Sequence, residues 1–117
     1  MKHHFVAKPW GSETWIVNNT KYCGKLLRIN KGHNSSWHYH KIKDEVMYVH
    51  TGKVCIKYGY NEDINHITIQ EITLSQGESF HIPTGLIHRI IAVEDTELFE
   101  FSTQHFDEDS IRIPTNA

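Results

Sequence analysis

Seven short runs rich in Val, Ile, Tyr and Phe recur along the chain, at residues 25–31 (KLLRINK), 45–50, 53–60, 64–74, 78–82, 88–93 and 96–103. Gly, Asn, Asp and Pro separate them, and this punctuation marks strands joined by turns rather than helices. Within 53–60, Val54, Ile56 and Tyr58 alternate with Cys55 and Lys57, so one face of that strand is expected inside and the other wetter. Thr51-Gly52 and residues 59–63 are expected to form hairpin turns. So many short strands, with no convincing amphipathic helix, predict an all-β antiparallel sandwich or small barrel. Residues 106–111 (FDEDSI) carry too many acids for a strand. A single helical turn or a solvated tail is expected there.

At 117 residues, the chain is sized for one core, so 1–117 is expected to form a single domain. Twelve Lys and Arg stand against 14 Asp and Glu, with no basic stripe for phosphate backbones, so no nucleic-acid partner is expected. No segment approaches the roughly 20 apolar residues that a membrane-spanning helix needs. The reading is therefore a soluble, cytoplasmic protein with no membrane partner. Cys23 and Cys55 lie in unlike contexts and read as buried thiols rather than a disulfide. His3-His4 at the N-terminus carries no weight.

Ten histidines are the compositional anomaly, because His is both the commonest neutral metal ligand and a proton-transfer group near neutral pH. In His38-Tyr39-His40, strand alternation would turn both imidazoles to one face. Taken alone, such a pair also suits a polar surface strand. Glu45 adds a carboxylate after the basic loop 41–43, and His88, behind the turn Pro83-Thr84-Gly85, could enter from a distant strand.

These positions carry a resemblance. Gly32, His38, His40, Glu45 and Gly52 match every fixed position of the first cupin motif, G(x)5HxH(x)3,4E(x)6G. Gly77, Pro83, Gly85 and His88 match the second, G(x)5PxG(x)2H(x)3N, whose final Asn is Ala92 here. The chain thus resembles a small single-domain cupin. The resemblance implies an antiparallel β-barrel of the double-stranded β-helix or jelly-roll type, often a homodimer. It also implies one divalent metal ion held by His38, His40, Glu45 and His88. Three neutral imidazoles and a carboxylate suit Mn, Fe, Co or Ni as well as Zn.

The flanks are similar to the C-terminal cupin domain of the bifunctional mannose-6-phosphate isomerase and mannose-1-phosphate guanylyltransferase family. The similarity rests on KPWG at residues 8–11, on Lys25, on HIPTGLIHRI at 81–90 and on FEFSTQHFDEDSIRI at 99–113. Departures from that family are Leu26 in place of an Arg, Ser36 in place of a Gln, and a longer loop at 41–44. Its guanylyltransferase domain has no counterpart in these residues, so nucleotide transfer is not expected of them. The resemblance implies an aldose–ketose isomerase for a sugar or sugar phosphate, in which the metal binds the sugar's oxygens and a base moves a proton between adjacent carbons.

By location, His81, His33 and Tyr58 are the candidate bases, although each also reads as a structural residue. Arg28, Lys41 and Lys43 are the candidate cations for a phosphate, whereas Arg89 should face away from His88. Trp37 and Tyr39 alternate with the histidines and are expected on the outer face, where exposed aromatics would favour a dimer interface. Two other functions fit the same donor set: a non-haem iron dioxygenase, and a non-catalytic sugar-binding or regulatory cupin.

Overall fold

The computed structural model describes residues 3–60 and 68–114. Its strands are β1 (His4–Lys8), β2 (Gly11–Asn18), β3 (Cys23–Ile29), β4 (His38–His40), β5 (Glu45–Thr51), β6 (Lys53–Gly59), β7 (Gln70–Ser75), β8 (Ser79–Ile82), β9 (Ile87–Ala92), β10 (Thr96–Ser102) and β11 (Ser110–Arg112). A 3-10 turn at Asp107–Asp109 precedes β11. Two sheets form, ordered β1-β2-β3-β10-β5-β8 and β11-β4-β9-β6-β7, and every recorded pairing is antiparallel. They face each other as a jelly-roll barrel, so the all-β expectation holds.

Strand alternation builds the interior. Along β10, Thr96, Leu98 and Glu100 are buried while Glu97, Phe99 and Phe101 are not. Leu98 stands between Leu27 and Val49, and Glu100 between Lys25 and Met47. Across the other sheet Val54 pairs with Ala92, Ile56 with Ile90, and Tyr58 with His88. Each barrel wall therefore has an apolar end and a polar end. The apolar end is a continuous cluster that includes Leu27, Ile29, Met47, Val49, Val54, Ile56, Leu74, Ile90 and Leu98. Full burial of one such side chain contributes roughly 1.5–3 kcal/mol, which anchors the strands whose other ends carry polar groups.

Several expectations are corrected. Thr51-Gly52 is not a hairpin, because β5 and β6 belong to different sheets; it is the corner where the chain changes sheet. β6 and β7 do pair as an antiparallel ladder, but most of the connection, together with the start of the expected strand 64–74, lies outside the described residues. β1 and β2 were not expected, and their registers extend the six-stranded sheet. Residues 106–111 do hold the expected single helical turn, at Asp107–Asp109, but then begin strand β11, which the acidic run did not suggest. Trp37 does point away from the ligand face but is not exposed. It is buried with Ile87 beside Tyr39 and Ile113, under the Arg89 guanidinium, which removes the exposed aromatic pair on which a dimer interface was argued. Cys23 is buried, Cys55 is half-buried, and both are free thiols.

Two motif glycines serve the chain differently. Gly52 has φ +95°, and a β-carbon there would run into the Asp95 carbonyl and the side chain and backbone of Thr96. Gly77 has φ +87° with open space around it. Gly77→Ala is expected to cost about 1 kcal/mol from the left-handed backbone alone, and Gly52→Ala more than about 2 kcal/mol from strain plus steric conflict. Urea unfolding of the two variants should rank them in that order.

Candidate metal centre

β4 delivers two imidazoles to one face of the five-stranded sheet, and β9 delivers a third in register, with His38 paired directly to His88. One ring nitrogen from each of His38, His40 and His88 falls within a group whose members lie within 4.8 Å of one another. Glu45, at the start of β5, crosses from the opposite sheet. Its Oε1 lies 3.3 Å from His88 Nε2 and 3.9 Å from His40 Nε2. The structure therefore brings together all four residues of the predicted donor set.

Hydrogen bonds at the back of two of the rings fix their tautomers. His38 Nδ1–H donates to the Ser36 carbonyl and His88 Nδ1–H to the Leu86 carbonyl, both at 2.9 Å. Each Nε2 is thereby left with a bare lone pair. His40 Nδ1 instead faces Asp109 Oδ2 at 3.5 Å. That carboxylate is held by the backbone N–H groups of Lys41, Ile42 and Lys43 at 2.8–3.0 Å. Asp109 thus stands behind a ligand-type imidazole, the arrangement that orients metal-binding histidines.

The donor set fits a cation. Among the described residues, the buried side-chain polar atoms with no hydrogen-bond partner are Trp37 Nε1 and four atoms of this cluster: His40 Nδ1, His88 Nε2 and both oxygens of Glu45. His88 Nε2 and Glu45 Oε1 are two acceptors aimed at each other, an unfavourable contact unless positive charge lies between them. Burial, reinforced by His88, holds the His38 pKa down to about 3. Burial and then Lys43 hold His40 down to about 2. Both rings are neutral at pH 7, the protonation state that ligation requires.

A charged wall continues from this site. Lys43 is buried, with Nζ 2.8 Å from Glu100 Oε2, 3.4 Å from Glu45 Oε2 and 3.2 Å from His105 Nδ1. Burial opposes the ammonium charge, but Glu100 and Glu45 outweigh it and raise the pKa of Lys43. Lys25, also buried, lies 3.2 Å from the same His105 nitrogen and 3.5 Å from Glu13 Oε1, over the Trp15 ring. With two ammonium groups donating to its Nδ1, His105 is the Nε2–H tautomer and donates to Asp107 Oδ1 at 2.9 Å. Burial and the two lysines lower its pKa. These groups and the four-residue cluster line one cavity of about 250 Å³, with Trp10, Ser110 and Arg112 among the other lining residues.

The candidates chosen for proton transfer do not line this cavity. His81 is exposed on β8 and bonded to Asp44. His33 is exposed in the loop before β4. Tyr58 follows the inner face but packs on Phe80 and the core. Of the three cations, Lys41 is exposed and Arg28 pairs with Glu97 on the outer face of β3. Lys43 does line the cavity, though as a buried ion-pair partner rather than a free loop lysine. Glu13, Glu100, His105, Asp109 and Arg112 went unnoticed in the sequence. Strand alternation would have turned Glu100 inward with Leu98, but nothing local marks the other four.

Residues 25–101 match the cupin domain family; the chain belongs to it. No curated protein matches the chain by sequence at a significant level. The capsular polysaccharide assembling protein CapF from Staphylococcus aureus is similar in structure, with TM-score 0.81 and 21% identity over 97% of this chain and 35% of CapF. KdgF from Halomonas sp. aligns with TM-score 0.75 and 18% identity over 91% of this chain and 90% of KdgF. Oxalate decarboxylase from Bacillus subtilis aligns with TM-score 0.79 and 17% identity over 95% of this chain and 30% of the enzyme; Mn(II) centres are described in that protein. The chain thus spans about a third of the CapF chain. At these identities the likeness establishes the fold alone.

The depressed imidazole pKa values set a sign for stability. Unfolded His38 and His40 take up protons near pH 6.5, whereas in the folded state they do so only near 3 and 2. Between those limits the unfolded chain binds more protons, so the metal-free protein loses stability as pH falls. Its urea midpoint is expected to be lower at pH 5.5 than at pH 7.5. A His38→Asn/His40→Asn double variant should show a shallower dependence over the same interval.

Proposed function

We propose that this protein is a divalent-metal cupin acting on a small, oxygen-rich substrate, as an aldose–ketose isomerase for a sugar or sugar phosphate. The observation that carries the reading is the cavity itself. The four-residue donor set and a wall of paired ammonium and carboxylate groups share about 250 Å³, a space below the usual drug-sized range and suited to one small polar molecule. His38, His40, Glu45 and His88 would hold Zn, Mn, Fe, Ni or Co. A divalent ion bound there supplies Lewis acidity, polarising a carbonyl oxygen and making the adjacent C–H more acidic. The Mn(II) centres of the B. subtilis oxalate decarboxylase are consistent with this donor chemistry. The whole chain acts as one unit in this proposal, with β1, β2 and β11 completing the cavity around the matched residues 25–101.

The chain's own residues supply the rest of the chemistry. Lys43 and Lys25 donate to substrate hydroxyls without leaving an isolated buried charge, because Glu45, Glu100 and Glu13 already balance them. His105 takes the role of base that His81, His33 and Tyr58 are too far outside the cavity to fill. Its Nε2 proton is fixed by Asp107, so Nδ1 is the atom that takes a proton from carbon in this proposal, once Lys25 and Lys43 turn their N–H bonds from it to the substrate hydroxyls. A wall this polar favours a hydroxylated substrate over the apolar substrates open to an oxygenase on the same ligands.

Purified protein is expected to take up about one equivalent of Mn, Fe, Co, Ni or Zn. His40→Ala and Glu45→Ala should each abolish stoichiometric uptake while leaving a folded barrel by circular dichroism; full occupancy in both variants would refute the donor set. Deuterium from solvent is expected to enter fructose 6-phosphate or mannose 6-phosphate, and His105→Gln should slow that exchange by about 100-fold with metal uptake intact. Metal uptake without exchange into either sugar phosphate would separate metal binding from the isomerase reading.

A further inference from the structure

One cation of the cavity is unlike the rest. Arg112 on β11 stands directly opposite His38, which in turn stands opposite His88. Directly opposed residues of antiparallel strands share a face, with Cβ atoms about 4.5–5.5 Å apart. Arg112, His38, His88 and Tyr58 therefore form one row across the inner face of the sheet. Along it His88 is fully buried, His38 half-buried and Arg112 exposed, so the row runs from the donor set to the mouth. Arg112 lines both the main cavity and an adjoining one of about 250 Å³ that it shares with Lys8, Trp10, Ser36 and Ser110.

Its charge is also available. Lys43 and Lys25 are held by Glu100, Glu45 and Glu13, and Arg28 by Glu97. Among the described residues no carboxylate pairs with Arg112. Glu13, the carboxylate that lines both cavities with Arg112, already accepts from Trp15 Nε1 at 2.8 Å and faces Lys25 at 3.5 Å, with Lys8 at 3.9 Å. A guanidinium with five free donors beside a donor set for neutral or anionic oxygens matches a carboxylate or phosphate group on the same molecule.

We propose that Arg112, with Lys8 and the Ser110 hydroxyl beside it, is an oxyanion subsite that selects substrates bearing a carboxylate or phosphate a few bonds from the oxygens presented to His38, His40, Glu45 and His88. This rests on the proposed metal-dependent sugar chemistry, and it moves the anion anchor from the loop lysines to β11. Arg112 sets specificity by binding the charged end and leaves the reacting carbons to the groups deeper in the cavity.

Calorimetry on chelated and Mn2+-loaded full-length protein, with inorganic phosphate and gluconate as separate probes, tests the subsite. The wild type is expected to bind at least one of them, with Arg112→Gln weakening that binding about tenfold or more and Arg112→Lys retaining part of it. Mn2+ uptake should be unchanged in both variants. Preference for phosphate assigns a phosphate ester, and preference for gluconate a sugar acid. Unchanged affinity in Arg112→Gln, an equal loss in the distant surface variant Lys21→Gln, or no binding of either anion by the wild type would overturn the subsite. Failure of the wild type to take up Mn2+ or any of Fe, Co, Ni and Zn would instead overturn the metal reading, while the chelated arm still decides the role of Arg112.

Discussion

The register between β4 and β9 is the constraint on which the site depends. His38 pairs with His88 through a strand only three residues long. Because side chains alternate with period two, a slip of one residue would turn His38 and His40 outward and send Tyr39 into the cavity. So short a strand cannot hold its register by its own ladder. β11 closes its other edge through Ser110, Ile111 and Arg112, and Ile113 N–H donates to the Trp37 carbonyl just beyond. Asp109 then ties down the loop that follows, accepting from three successive backbone N–H groups. Trp37, buried on the far face with Ile87 and Ile113, adds an apolar anchor to a strand whose inner face is all imidazole.

Charge is the second organising term. Glu13, Glu45 and Glu100 face Lys8, Lys25 and Lys43 inside one cavity. Taking any one of these ions from water costs several kcal/mol unless a partner is in contact. The lysines are close to ideal in this respect, since Lys43 reaches Glu100 at 2.8 Å and shares His105 with Lys25. Glu45 is not: its oxygens face His88, His40 and, at 3.4 Å, Lys43, with no hydrogen bond. The Glu45 carboxylate with no hydrogen bond and the bare Nε2 of His88 therefore coincide in space. The ion pairs along the wall are complete in themselves, while the four-residue cluster is complete only with a cation.

Local patterns revealed the parts of this arrangement that obey local rules. Alternation in residues 53–60 gave an inward Val54 and Ile56, and the resemblance to the two cupin motifs implied the four residues, His38, His40, Glu45 and His88, that converge. Contacts set by topology were not legible. Thr51-Gly52 has hairpin chemistry, yet the chain uses its positive φ to change sheets. Trp37 follows the outward alternation correctly but is covered by Ile113, more than seventy residues on in sequence. Asp109 lies in an acidic run that reads as a single helical turn or a solvated tail until the pairing of β11 with β4 brings it behind His40. Lys43 reads as a loop lysine because nothing in its neighbours announces Glu100 on a distant strand.

The division of each strand into an apolar and a polar end explains how fold and chemistry separate in this protein. Leu98 and Glu100 are two residues apart on β10, as are Ile90 and His88 on β9, and Met47 and Glu45 on β5. In each pair one residue holds the sheets together and the other faces the cavity. The polar ends can change identity without disturbing the cluster around Val49, Val54, Ile56 and Leu98, because the ladder and the apolar end already fix the strand. That freedom fits the fold being shared at 17–21% identity with proteins named for polysaccharide assembly and for oxalate decarboxylation. Barrel geometry then says little about which reaction is performed. The discriminating information lies in the side chains of the polar ends and of the short edge strand β11, where Ser110 and Arg112 look across β4 into the cavity.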